Sequence, residues 1–153
     1  MIYLGADHRG FGLKEAIKQH LATSGLAFED VGAKVLDQSD DYVTYASAVA
    51  RAVASDPDQN QGVVICRSGV GVDVTANKVH GIRSALCASP EQAAAARDED
   101  NANVLALAAD FVDQGTTLAI VDRWLATPFS GAARHVRRLQ ALSDMEGELS
   151  SQH

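Results

Sequence analysis

The densest concentration of reactive side chains surrounds Cys66, where Gly62-Val63-Val64-Ile65-Cys66 is followed by Arg67-Ser68-Gly69-Val70-Gly71. Val, Ile and Cys in series read as a buried strand, and the glycines after it as a turn into a helix. A thiol at that junction lies beside backbone N–H groups and the positive end of a helix, which favour an anion. The same setting favours the thiolate, the form a general base requires. Gly69 and Gly71 let the backbone approach a ligand and aim amides at a developing oxyanion. A small buried cysteine beside an ordinary turn fits the spacing equally well. Dinucleotide binding fits it less well: Val74 stands where a third glycine would complete the motif, which also follows the third strand and not the first.

Asp7-His8-Arg9-Gly10 closes the first apolar run. An Asp–His pair at the carboxyl end of a strand can orient a sugar hydroxyl or move a proton; an N-cap aspartate with a solvated neighbour is the plainer reading. In Arg134-His135-Val136-Arg137-Arg138, Arg134 and Arg138 stand one helical turn apart. They are expected to share a face with His135 and to offer forked donors to a phosphate, or else to form a solvated basic face. Asp98-Glu99-Asp100 places three acids where a helix is expected to end, against a macrodipole that disfavours them by a few tenths to about 1 kcal/mol. Such rule-breaking marks either a site or a frayed, hydrated end. Asp37, Asp40 and Asp41 read as a solvated loop, Cys87 and His80 as structural, and Trp124 as a core or interface aromatic.

These groups need a scaffold, and the pattern supplies one. Ile2 to Ala6 reads as a buried strand. A helix follows with Leu13, Ile17, His20 and Leu21 on one side, Lys14, Glu15 and Lys18 on the other, and Gly25 as its stop. Leu26 to Val31 is a weaker strand, residues 34–41 a polar loop, and Tyr42 to Ala54 a helix of small residues. After Cys66 and its turn come a helix through Asn77 and a strand from Ile82 to Ala88. Ser89-Pro90-Glu91 then reads as an N-cap, a proline at the first helical position and a first-turn acid. Val104 to Ala108 is a fifth strand, Thr116 to Ala126 a helix, and Gly131 to about Leu142 a last helix. The alternation predicts one α/β domain over residues 1–153, a Rossmann-like five-stranded parallel sheet in a three-layer sandwich. Ligands in such sheets bind beyond the carboxyl ends of the strands.

Composition narrows the partners. With 153 residues, 46% hydrophobic and 22% charged, the chain has the size and balance of one soluble domain. A formal net charge of −7 argues against nucleic acid or an anionic membrane as partner, so any anion must be held by a local cluster. Two cysteines without CxxC spacing exclude a disulfide framework and the usual zinc and thioredoxin patterns. No apolar run reaches the roughly 18 residues of a membrane span. The N-terminus lacks the basic region of a signal peptide, and a cytoplasmic protein is expected.

Six ordered motifs together resemble the ribose-5-phosphate isomerase type B family and its relatives, the galactose-6-phosphate isomerase subunits, over about residues 2–142. They are Gly5-Ala6-Asp7-His8-Arg9-Gly10-Phe11; Asp41-Tyr42; Cys66 with Ser68-Gly69-Val70-Gly71; Ala76-Asn77-Lys78-Val79-His80-Gly81-Ile82-Arg83; Asn101-Ala102-Asn103-Val104-Leu105; and Arg134-His135 with Arg138. The resemblance implies an aldose–ketose isomerase without metal or cofactor, acting on an open-chain sugar phosphate through a cis-enediolate. Ribose 5-phosphate and ribulose 5-phosphate, the pair of the pentose phosphate pathway, are the leading substrates. Cys66 stands where many members place the base, while members without it use a glutamate at the position of Val72. Ser68 would assist proton transfer at the oxygens, with Asp7 as a further catalytic group and the amides of Gly69, Val70 and Gly71 stabilising the enediolate. His8, Arg9, Tyr42, Arg67, Asn77 and Asn101 would contact substrate, and Arg134, His135 and Arg138 would clamp the phosphate. The family forms homodimers or dimers of dimers with shared sites, so the helix at about 131–142 is expected to pack on a partner subunit.

Three positions depart from that pattern. Glu99 stands where a ring-opening histidine is common, Asp110 where a phosphate arginine is common, and Arg67 where glycine is usual. A carboxyl among acidic neighbours keeps acid–base chemistry available at Glu99. Otherwise the substrate needs no ring opening, as with a tetrose 4-phosphate. A hexose 6-phosphate isomerase and a sugar-phosphate-binding protein without catalysis are the remaining alternatives.

Overall fold

The computed structural model describes residues 1–152, in which strands and helices alternate. In chain order they are β1 (Ile2–Ala6), α1 (Phe11–Thr23), β2 (Phe28–Asp30), α2 (Tyr42–Ala54), β3 (Gln61–Cys66), α3 (Val70–Ala76), β4 (Ser84–Leu86), α4 (Pro90–Asp100), β5 (Val104–Ala108), α5 (Gln114–Ala126) and α6 (Ala133–Ser150). All strand pairs are parallel, in the order β2-β1-β3-β5-β4. The three-layer α/β architecture is the one the alternation predicts.

Strand side chains point alternately to the two faces, and this sorts the core. Val63, Ile65, Leu105 and Leu107 pack with Ile17, Leu21, Ile120 and Trp124 under α1 and α5. Val64, Cys66, Val104 and Ala106 pack with Ala46, Val49, Val72 and Ala76 under α2 and α3. The small residues of α2 let it lie almost on the sheet: a Cβ at Gly5 or Gly62 would come within 2.7 or 2.6 Å of Val49. The Cys66 side chain thus points to the α2/α3 face.

Several boundaries differ from expectation for local reasons. β2 and β4 shrink to three residues because only Phe28–Asp30 and Ser84–Leu86 find a neighbour in register. α5 starts at Gln114, where the Asp113 carboxylate accepts the Thr116 N–H at 2.9 Å. α6 runs on to Ser150, held at its far end by Glu146, whose two carboxylate oxygens each accept the Gly81 N–H at 3.1 Å. Lys14 is not on a solvated face but fully buried. Its ammonium donates to both oxygens of Asp30, at 3.0 and 2.8 Å, and to the Ala33 carbonyl. Burial alone would raise the Asp30 pKa; Lys14, Lys18 and the Gly32 N–H outweigh it and hold the carboxyl below its usual value.

Candidate active site

The carboxyl ends of β1 and β3 lie side by side, with Ala6 level with Ile65, so the residues that follow each strand meet. Asp7 is buried and builds the first turn: its Oδ1 accepts the N–H groups of Arg9 at 3.0 Å and Gly10 at 3.1 Å. Only glycine fits at position 10, because a Cβ there would sit 2.8 Å from the Ile65 carbonyl oxygen. Across from it, Cys66 ends β3 and is 5% exposed. Gly69 turns the chain with φ +75°, where a Cβ would meet Leu86 at 2.4 Å and the Leu107 backbone at 3.0 Å. α3 then begins with no side-chain cap, leaving the first-turn amides turned toward the loop. The Ser68 hydroxyl is near them, accepting the Val70 N–H at 3.4 Å.

α2 supplies the third wall. Asp41 caps it by accepting the Val43 N–H at 3.2 Å. Tyr42, its first residue, lays its ring against Gly71, so close that a Cβ there would stand 2.7 Å from Cζ. Cys66, Ser68, Gly69, Val70, Gly71, Asp7, His8 and Tyr42 are therefore brought to one edge of the sheet, as expected.

The acidic loop is not the solvated feature its composition suggests. Asp40 turns inward, with 5% of its side chain exposed, and its Oδ1 accepts both the backbone N–H of His8 at 2.9 Å and Nδ1 of the same residue at 2.7 Å. Asp7, His8 and Asp40 each place a donor atom within 4.8 Å of the others. One oxygen of each carboxylate is engaged, Asp7 Oδ1 with backbone amides and Asp40 Oδ1 with His8. Tyr45 lies beside it, its phenol pKa raised first by burial and then by Asp40.

Arg9 and Arg67 flank the same edge. Arg9 Nη2 donates to Asp110 Oδ2 at 2.7 Å, and the two half-exposed side chains neutralise one another. The Arg67 guanidinium stacks 5.6 Å from the centre of the Phe111 ring, while its carbonyl accepts the Asp110 N–H at 3.0 Å. Asp110 is therefore the ionic partner of Arg9.

The remaining expected site residues lie at the opposite, amino edge. Parallel register sets Cys66 level with Ala108 and Ser84 level with Val104, about 13 Å earlier along β5. α4 returns to this amino edge, bringing Glu99 and Asn101 with it. Its acidic end is stabilised by two arginines. Arg83 Nε donates to the carbonyls of Asp100 and Asn101, and Arg97 Nη1 to the Asn101 side-chain oxygen and the Ala102 carbonyl. Asn101 takes a left-handed cap (φ 43°), and Glu99 is exposed. Asn77 ties α3 to β4 at this edge: its amide donates to the carbonyls of Asp73 and Ser84 and accepts the Ser84 N–H at 2.9 Å.

α6 is anchored to the same edge, with Ser130 N–H donating to the Asp98 carbonyl just before it. Arg134 and Arg138 are exposed, but His135 does not share their face. It is 3% exposed and its Nδ1 meets the Ser130 hydroxyl at 2.7 Å, locking the start of the helix. A cavity of about 600 Å3 lies between α6 and residues 77–85, bordered by His80, Arg83, Asp100 and Glu146.

Comparison with known proteins decides the family. Residues 2–142 match the Ribose/Galactose Isomerase family. The ribose-5-phosphate isomerase B of Mycobacterium tuberculosis is 41% identical over 145 residues, covering 95% of this chain and 89% of the relative. The crystal structure of ribose-5-phosphate isomerase B from Mycoplasma genitalium with bound ribulose-5-phosphate superposes with a TM-score of 0.93 at 41% identity, covering 96% of each chain. The type B ribose 5-phosphate isomerase of Trypanosoma cruzi superposes with a TM-score of 0.90 at 33% identity, covering 96% of this chain and 98% of the other. This chain belongs to the ribose/galactose isomerase family.

Within this isomerase fold, the residues that sequence reasoning missed are Asp40 and the Arg9–Asp110 pairing. Neither leaves a periodic signal, since the partners are separated by 32 and 101 positions. Cys87, the second thiol of the isomerase, is pushed up to about 11 by burial and the nearby Asp73, so it stays protonated and inert. Trp124 is fully buried core.

Proposed function

We propose that the chain is an aldose–ketose isomerase that interconverts ribose 5-phosphate and ribulose 5-phosphate, with Cys66 as the base. The observation that carries this is the meeting, at one sheet edge, of a buried thiol, an uncapped helix start and the Asp7–His8 pair. The thiolate removes the proton from the carbon next to the carbonyl and returns it to the former carbonyl carbon, so one base serves both halves of the reaction. The amides of Gly69, Val70 and Gly71 stabilise the oxygens of the cis-enediolate, and Ser68 relays the hydroxyl proton between them. Asp7 and His8 orient the sugar hydroxyls, with Tyr42 as a wall.

Phosphate binding is assigned to Arg134 and Arg138. Their position at the amino edge supports a working unit in which they serve the site of a second copy, a homodimer with shared sites. The exposed Val136, Leu142, Met145 and Leu149 of α6 support such an interface. Among the described residues no helix is long and apolar enough to cross a membrane, and the proposed setting is cytoplasmic sugar-phosphate metabolism.

A second reading, a tetrose 4-phosphate isomerase, is favoured by exposed Glu99 beside Asp98 and Asp100, because a tetrose phosphate cannot close a furanose ring. The protein is incubated with ribose 5-phosphate, erythrose 4-phosphate and galactose 6-phosphate while ketose formation and solvent-deuterium uptake are followed. Fastest turnover of the pentose supports the first reading. No turnover or exchange with binding intact identifies a binding protein and overturns both. Glu99→Gln should slow the cyclising pentose more than the tetrose if Glu99 opens rings; equal effects refute that role.

A further inference from the structure

We infer that Asp40 is a positioning residue of the active site, whose buried carboxylate fixes the ring of His8 so that Nε2 is the nitrogen presented to the sugar. The inference rests on the isomerase reading above and adds to it the group that sets the state of His8. The polar loop turns inward at one place. Val35 and Leu36 are well exposed and Asp37 to Ser39 form a solvent-facing turn, in which Asp37 Oδ1 accepts the Ser39 N–H at 2.9 Å and its hydroxyl at 2.6 Å. Asp40 follows, its side chain 5% exposed against 26% for His8, so the carboxylate lies behind the imidazole as seen from solvent.

One oxygen does two jobs. Oδ1 accepts the His8 backbone N–H and faces Nδ1 at 2.7 Å, so main chain and ring are held by the same atom and the ring cannot turn without losing a bond. A carboxylate accepts and does not donate, which requires the proton on Nδ1 and leaves Nε2 as the free nitrogen. The second oxygen, Oδ2, is buried, and the Tyr45 phenol is the neighbouring group that faces the same carboxylate. A buried acid held in this way is expensive to fold around, and a loop needing only solubility would leave it outside. The other ionisable groups around the pair are Asp7, Asp37 and Tyr45; none of them bonds Nδ1.

Two measurements test this on the full-length protein. Nitrogen NMR of the 15N-histidine-labelled protein reads the His8 tautomer without any substrate: wild type and Asp40→Asn should keep the proton on Nδ1, and Asp40→Ala should lose that fixed state. In kinetics, Asp40→Ala should lower kcat/KM on the order of 10- to 100-fold, as losses of supporting hydrogen bonds do, and Asp40→Asn should recover most of it. The same Asp40→Ala change made in a His8→Ala background should cost almost nothing more. A wild-type His8 protonated on Nε2 alone overturns the inference, as does an equal Asp40→Ala loss with and without His8. If Asp40→Ala fails to fold, Asp40→Ser and the wild-type tautomer decide. A wild type that turns over no sugar phosphate removes the isomerase reading, while the tautomer measurement still reports on the Asp40–His8 pair.

Discussion

Both edges of the parallel sheet carry polar side chains, and they use them in opposite ways. At the carboxyl edge a buried thiol stands under an uncapped helix start, and glycines bring the β1 and β3 loops within contact of Ile65 and Tyr42. At the amino edge Asn77 bonds the Ser84 backbone, Arg83 and Arg97 bond Asn101, His135 turns inward, and Lys78 and the α6 residues Arg134, Arg137 and Arg138 are exposed. The first edge joins a thiol, a hydroxyl, carboxylates and an imidazole, and of its two flanking arginines Arg9 is paired with Asp110 while Arg67 stacks on Phe111. The second has charge suited to a phosphate but no base. In the proposed reading neither edge is a complete site, and the two functions are divided between opposite ends of one domain.

That division can be attacked at its strongest point first. Cys66→Ala should reduce isomerisation and deuterium exchange on the order of a thousandfold while phosphate-dependent binding, read by calorimetry, persists. The contrasting Cys87→Ala should retain turnover, since that thiol stays protonated.

Asp30 tests whether the carboxyl edge is held together independently of its chemistry. Asp30→Asn leaves Lys14 buried without its carboxylate and should cost about 3 kcal/mol in denaturant unfolding, with kcat changed far less. The sign with pH follows from the lowered Asp30 pKa. Its contribution is present above the ordinary carboxylate value of about 3.9 and is lost as pH falls through the depressed folded value. The variant should therefore lose less stability than wild type on acidification. Gly71→Ala should have the smallest effect, about 1–3 kcal/mol of overpacking against Tyr42 and a higher KM, because the ring must move out of the wall it forms.

How much of this could be read from the chain depends on the range of the interaction. Val104–Ala108, Tyr42–Ala54 and the strand ending at Cys66 are local patterns of apolar spacing, and they match the structure because both faces of the sheet are buried. The charge of Lys14 argues for solvent although its spacing from Ile17 and Leu21 puts it on the buried side of α1; only the buried Asp30 and the Ala33 carbonyl make that interior position tolerable. Asp40 looks like one of three loop acids until His8 is seen beside it. Asn77 matches the family pattern yet faces β4, because its amide fits the Ser84 backbone. The far end of α6, with Glu146 reaching Gly81, has too little apolar periodicity to mark its own length.

The division of labour between the two edges is tested most directly by mixing two variants. Cys66→Ala alone and Arg134→Ala with Arg138→Ala should each be nearly inactive at low ribose 5-phosphate. Unfolded together and refolded, they should recover about a quarter of wild-type activity, because half of the dimers then contain one site with both an intact base and intact arginines. A mixture no more active than its separate components would contradict the account and place base and phosphate clamp within one chain.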